Sequence, residues 1–208
     1  MNNPIKLMKA TAPILVLLST LQLAPAQERL SSEEALKYAN AVSADAKQLK
    51  GTPLATDVDT QKPVALRDGE YGGMVLPQKE LDAEKIAKAG KEAITPIGQL
   101  WLLKLTPMRD GEAISSSKLR LASVQADGSE VTVPQCALGV RRTGDDKLEL
   151  VVFGKDKDPI LTAPMKAIDT KQELPIDLSA ERESDSGRLT VKILGKYQAS
   201  FQVTELDI

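Results

Sequence analysis

Residues 98–107 read GQLWLLKLTP, with apolar side chains at both parities: Leu100 and Leu102 on one, Trp101 and Leu103 on the other. A strand with one wet face alternates, whereas a strand covered on both faces is apolar throughout. The run therefore predicts a central strand buried on both sides, with Trp101 as its largest core side chain.

Downstream the pattern settles to a period of two. It runs through Leu119 and Leu121; Val131 and Val133; Cys136, Leu138 and Val140; and Leu148, Leu150 and Val152. It continues through Leu174, Ile176 and Leu178; Leu189, Val191 and Ile193; and Tyr197, Ala199, Phe201 and Val203. Between the runs stand ADGS, TGDD, GKDKD, DTKQ, SDSG and GK, all of them turn chemistry. Short half-apolar strands with turns at regular spacing mark an antiparallel β-sandwich or a barrel, and the sandwich is the expectation here. One strand reading is open, because Pro164 obscures the strand count between Pro159 and Gln172.

Upstream, SSEEALKYANAVSADAKQLKG (31–51) carries Leu36, Ala39, Val42, Ala46 and Leu49 at helical spacing. Ser31 and Glu34 form a capping-box pattern and Gly51 supplies a stop. The stripe is narrow and alanine-rich, and a lone helix of this length is marginal in water, so it is expected to pack on its own domain rather than on a partner helix. Residues 52–62 read as a linker. In PVALRDGEYGGMVLP (63–77), Asp68-Gly69 predicts a hairpin, and LDAEKIAKAG (81–90) predicts a short helix capped by Asp82.

The chain opens with Lys6 and Lys9, an apolar stretch from about Ala12 to Leu23, and the small-residue site Ala24-Pro25-Ala26. Those are the three parts of a secretory signal. The rival, a retained anchor, is disfavoured: Ala10–Ala26 is broken by Pro13, Ser19, Thr20, Gln22 and Pro25, and a span needs about 20 mostly apolar residues. The expected organisation is a cleaved signal at 1–26, a helix and linker at 27–62, and a β-sandwich domain at 63–208. No stable membrane span is expected after cleavage, and the destination is the periplasm or the cell exterior. A single cysteine and no Asn-x-Ser/Thr sequon point to a bacterial envelope.

Removing residues 1–26 takes two lysines and no acid from 27 basic and 29 acidic side chains, leaving 25 and 29, a net charge of −4. A mildly acidic surface gives no reason to expect nucleic acid. The absence of histidine removes imidazole-based triads and the usual zinc sites. Ser115-Ser-Ser-Lys118 matches the S-x-x-K string of serine acyl-enzymes, but that motif must begin a helix, and here it runs into the strand pattern LRLASV. It reads as a polar turn.

Two weaker sites follow from turns. If the strands from Lys118 onward run strictly up and down, Asp127, Asp156, Asp158 and Asp185 fall at one end and could share a calcium ion, the one cofactor the sequence leaves open. Asp is equally common in turns for local reasons. DVDTQKPVALRD (57–68) has EF-hand spacing without the glycine and glutamate the loop needs. Of the six aromatic residues, Trp101, Phe153, Tyr197 and Phe201 lie in strand runs and Tyr38 on the first helix. Tyr71 stands in DGEYGG, so Tyr71, Gly72 and Gly73 form a candidate contact site or a turn needing positive φ.

The sequence thus points to an exported, non-catalytic envelope protein that binds another protein or a surface polymer, or serves as a structural subunit. A calcium-dependent binding module is one alternative, and a histidine-free hydrolase using two carboxylates is the other.

Overall fold

The computed structural model describes residues 27–47, 54–91, 93–126, 128–145 and 147–207. The signal-peptide reading, Leu49 and the Gly51 stop fall outside them, as does Asp127. The chain is mainly β, with two antiparallel sheets packed face to face and no closed barrel.

In chain order the elements are β1 (Glu28–Arg29), α1 (Ser32–Lys47), β2 (Val64–Asp68), β3 (Tyr71–Pro77), α2 (Ala83–Ala87), β4 (Thr95–Leu103) and β5 (Leu105–Arg109). There follow β6 (Glu112–Ala113), a 3-10 turn at Ser116–Lys118, β7 (Arg120–Ala126), β8 (Ser129–Arg142), β9 (Leu148–Phe153) and β10 (Pro159–Pro164). The chain ends with β11 (Lys166–Ala167), β12 (Ile176–Arg182), β13 (Gly187–Ile193) and β14 (Tyr197–Glu205). The larger sheet has the order β1-β2-β3-β4-β8-β9-β10, with β7 also paired to β8. The smaller has the order β12-β13-β14-β5-β6, with β11 also paired to β14.

The run that predicted a single central strand is two strands. Through Leu103 it is β4, flanked by β3 and β8 in the larger sheet; after Lys104 it is β5, an inner strand of the smaller one. Lys104 makes the corner with φ 55°, a value few non-glycine residues adopt. The chain is consequently not a simple up-and-down array.

β4 is covered on both sides, as its composition requires. Leu100 and Leu102 join Val75, Leu138 and Val152 in the core between the sheets, where the smaller sheet contributes Leu178, Val191 and Phe201. Trp101 lies on the other face, in a second cluster with Met74 and Val133 from the sheet and Ala35, Ala39 and Val42 from α1. The helix thus packs on its own domain. Its buried stripe is Ala35, Ala39 and Val42, rotated from the expected one because Leu36 is only half-buried. Its start is the predicted capping box: Ser31 N–H donates to Glu34 Oε2 at 3.1 Å and Glu34 N–H to Ser31 Oγ at 3.3 Å. The Ser31 hydroxyl, which donates to Glu34 Oε2 at 2.7 Å, and then the Ser31 N–H hold the Glu34 carboxyl below its usual range. At α2, Asp82 accepts from Lys85 N at 2.8 Å and Ile86 is fully buried.

Cys136 lies in β8 within the intersheet core, and burial pushes its thiol up to about 12. The unfolded thiol ionises from its ordinary value of 9.0, so the unfolded state binds fewer protons between the two values and stability falls as pH rises through that window. Below it the buried thiol is protonated and inaccessible. Iodoacetamide at pH 8 is expected to label the native chain at least about a hundredfold more slowly than the urea-unfolded chain; equal rates would place Cys136 at the surface.

Candidate functional site

The β2–β3 hairpin turns through Gly69 and Glu70, directly after Asp68, which pairs with Tyr71, and Gly69 takes the positive φ, 61°. Arg67 Nε donates to Gly69 O across this turn at 3.0 Å. Gly72 and Gly73 therefore do not serve the turn. They are strand residues of β3, paired with Leu103 and Leu102 of β4. What they supply is room: a Cβ on Gly73 would lie 3.6 Å from Leu178 Cδ2 in the intersheet space, and one on Gly72 would lie 3.6 Å from Leu103 Cβ on the opposite face.

The space on the Gly73 side opens at the margin of the sandwich. Here a cleft of about 400 Å³ is bounded by the β2–β3 hairpin, the β12–β13 turn and the end of β14. Tyr71, Gly72 and Gly73, the candidate contact residues, all line it, and so does Asp185. The Tyr71 hydroxyl hydrogen-bonds the Glu205 carboxylate; burial, and then the charge of Glu205, hold its pKa above the ordinary value. Asp68 Oδ2 meets Arg182 Nε at 3.8 Å, an ion pair between the two sheets. Glu183 accepts from Gln202 Nε2 at 2.9 Å and from Arg188 Nη2 at 2.6 Å, which keeps its carboxyl below the usual range.

The cleft lining contains five carboxylates, Asp68, Glu181, Glu183, Asp185 and Glu205, against two guanidiniums, Arg67 and Arg182. A partly apolar cleft with one phenol and an acidic excess is suited to a cationic side chain on an extended segment.

Of the four aspartates proposed for calcium, Asp127 lies outside the described residues, and the other three are not brought together. Asp185 lies at the cleft, while Asp156 and Asp158 are exposed in the β9–β10 turn. β9 is three places from β3 in the sheet, a lateral separation of about 15 Å at the spacing of paired strands. Among the described residues no group of three or more His, Cys, Asp or Glu side chains is placed to hold a metal. Ser115 caps the 3-10 turn, accepting from Ser117 N at 3.3 Å, which is the polar-turn geometry. Glu181, Glu183 and Glu205 carried no sequence signal, since they are scattered acids that only the topology gathers.

An exposed strand edge is a further candidate surface, because it can recruit a partner strand. On the β12 edge, Leu178 N–H is taken by Asp177 Oδ1 at 3.0 Å, and Asp177 pairs with Arg29 at 2.7 Å. A charged, self-capped edge resists strand addition.

A second cavity, about 330 Å³, lies on the far side of β3 between α1 and the outer face of the larger sheet. Its walls are apolar, among them Tyr38, Val42, Met74, Trp101, Leu103 and Val133. Trp101 is 3% exposed, and among the described residues its Nε1–H has no hydrogen-bond partner. A buried donor left without an acceptor costs about 1–3 kcal/mol.

The chain matches no protein-family description, no curated protein and no solved structure.

Proposed function

We propose that this chain is an exported, non-catalytic protein of the cell envelope that binds another protein through the Tyr71 cleft, taking a basic, extended segment of that partner. The observation that carries the reading is the cleft's charge: beyond the Asp68–Arg182 and Glu183–Arg188 pairs, its lining holds Glu181, Asp185 and Glu205 against Arg67, around an open 400 Å³ space with Tyr71 on its wall. Lysine and arginine side chains combine an apolar stem with a cationic head, and such a space accommodates both parts. The export half of the proposal rests on the n-region, apolar core and Ala24-Pro25-Ala26 site of the first 26 residues.

The test uses the tagged full-length protein expressed in its source cells, crosslinked mildly and recovered from the envelope fraction, beside the double variant Glu181→Lys/Asp185→Lys. Both acids are exposed, so reversal leaves the core untouched. A specific partner is expected with the parent and at least about tenfold less of it with the variant, because reversal replaces attraction by repulsion at the contact. Equal recovery by both would remove the cleft from the reading. The mature N-terminus, sequenced in the same sample, is expected at Gln27; an intact Met1 would count against export.

A further inference from the structure

Gln27, the first residue of the expected mature chain, lines the acidic cleft. Its neighbours fix its place there. Glu28 and Arg29 form β1 and pair antiparallel with Arg67 and Leu66 of β2. Carried one residue further, that register sets Gln27 opposite Asp68. Leu30 N–H donates to Ala65 O at 3.0 Å and Arg29 Nη1 meets Asp177 Oδ1 at 2.7 Å, so β1 is tied both to β2 and to the edge of the smaller sheet. Cleavage after Ala26 converts the Gln27 nitrogen from an amide to an α-ammonium, a charge the uncleaved chain does not carry at this point.

The surroundings suit that charge. On β2, Asp68 meets Arg182 only at 3.8 Å, and a carboxylate with about four acceptor positions has capacity for a second donor. Arg67 is engaged with Gly69 O at 3.0 Å. On β1 itself, Arg29 is matched by Asp177, and Glu28 adds an acid. Across the cleft Glu183 is matched by Arg188 and Tyr71 bonds Glu205, while Glu181 and Asp185 add negative charge. Paired strands stand about 4.8 Å apart, and an opposite charge within about 4–6 Å favours the ionised form of an amine. We propose that the α-ammonium of Gln27, freed when residues 1–26 are removed, occupies the cleft beside Asp68 and is held there in its charged form. The inference rests on the export reading, which supplies the free nitrogen, and it refines the binding reading by leaving Glu181, Asp185 and Glu205 for the partner's cation.

Holding the charge has a chemical consequence. An amino-terminal glutamine cyclises when its neutral amine attacks the side-chain amide carbon: a new C–N bond closes a lactam, the bond to the amide nitrogen breaks, and that nitrogen leaves as ammonia with the proton the amine gives up. An ammonium has no lone pair for this attack, so the cleft protects Gln27 from cyclising.

The test uses the processed protein recovered from the envelope fraction of its source cells, beside Asp68→Asn. Intact mass identifies the amino terminus and its state, expected to be Gln27 with a free amine. Reductive methylation with carbon-13 formaldehyde marks the amine and keeps it basic. Its NMR titration is expected to give a pKa about one unit higher in the native chain than in urea, where the ordinary value is ~7.7–8.0. In folded Asp68→Asn at least about half of that shift is expected to vanish, as one charge partner is lost. At pH 7, ammonia loss from unlabelled protein is expected to be about tenfold slower in the native parent than in urea, the ratio of neutral amine that one unit implies. The comparison of native and unfolded parent decides the matter even where the variant does not fold. A terminus other than Gln27 overturns the export reading and this inference together. Gln27 with the same amine pKa in both states, a chain recovered wholly cyclised, or a shift undiminished in folded Asp68→Asn overturns this inference alone.

Discussion

Gly98→Ala is expected to lower the stability of this protein by at least about 3 kcal/mol, because it combines a backbone penalty with a collision. Gly98 sits in β4 at φ +153°, where the register against β8 shifts between Pro96 and Gly98. A Cβ there would stand 2.3 Å from Leu76 O and 3.1 Å from Pro77 Cα. Both are backbone atoms of β3, a strand held between β2 and β4, so neither can turn aside as a side chain would. Gly111→Ala isolates the backbone part: Gly111 has φ +83° with nothing within 4 Å of a Cβ, and its expected cost is about 1 kcal/mol. Urea titrations of the two variants beside the parent measure the collision as the difference between them. Equal losses would show that β3 yields freely, and that the bulge does not depend on glycine.

That bulge stands at the start of the run that announced the fold, and the same run shows where local reading stops. Apolar side chains at both parities correctly implied a strand covered on both faces. They did not disclose that the chain turns a corner at Lys104, since a positive φ in a non-glycine residue leaves no compositional trace. A related case is β8. Val131 and Val133 pack toward α1, whereas Cys136, Leu138 and Val140 face the opposite sheet, all within one strand. The change of parity looks like two strands in the sequence, but it records which face is covered along the strand's length. Leu121 follows the same logic in reverse. It has the parity of Leu119, yet it is 40% exposed, while Ala122 and Val124 of the same strand pack into the cluster beneath α1.

The candidate site was legible only in part. Tyr71, Gly72 and Gly73 could be singled out because an aromatic beside two glycines is unusual, although the glycines turned out to open space in β3 instead of bending the chain. The acids that give the cleft its charge come from β2 and, more than a hundred residues later, from β12 with its following turn and from β14. Nothing in any local pattern joins Asp68 to Glu205; sheet order does. The same limit applied to the calcium reading, which required a strictly alternating array to gather Asp156 and Asp158 with Asp185.

Leu100→Ala tests whether the two faces of β4 belong to one cooperative unit. Leu100 is fully buried at the middle of β4, hydrogen-bonded between β3 and β8, so the flanking strands can close little of the space its side chain leaves. Such truncations cost about 2–5 kcal/mol, and the rigid surroundings place this one at about 4. A domain of this size has about 5–15 kcal/mol in all, so the urea midpoint is expected to fall by about 1–2 M. Leu121→Ala, at an exposed site, is expected to change the stability by less than about 0.5 kcal/mol. The informative readout is which signals move together. Trp101 is the next residue along and points to the other face, beneath α1, so its fluorescence reports the helix-covered layer while far-ultraviolet circular dichroism reports the sheets. If the larger sheet transmits the lost packing to the layer behind it, both signals shift to one lower midpoint. If fluorescence keeps the parent midpoint while dichroism shifts, α1 and its face of the sheet form an independent layer, and the groove beneath α1 can open without disturbing the sandwich core.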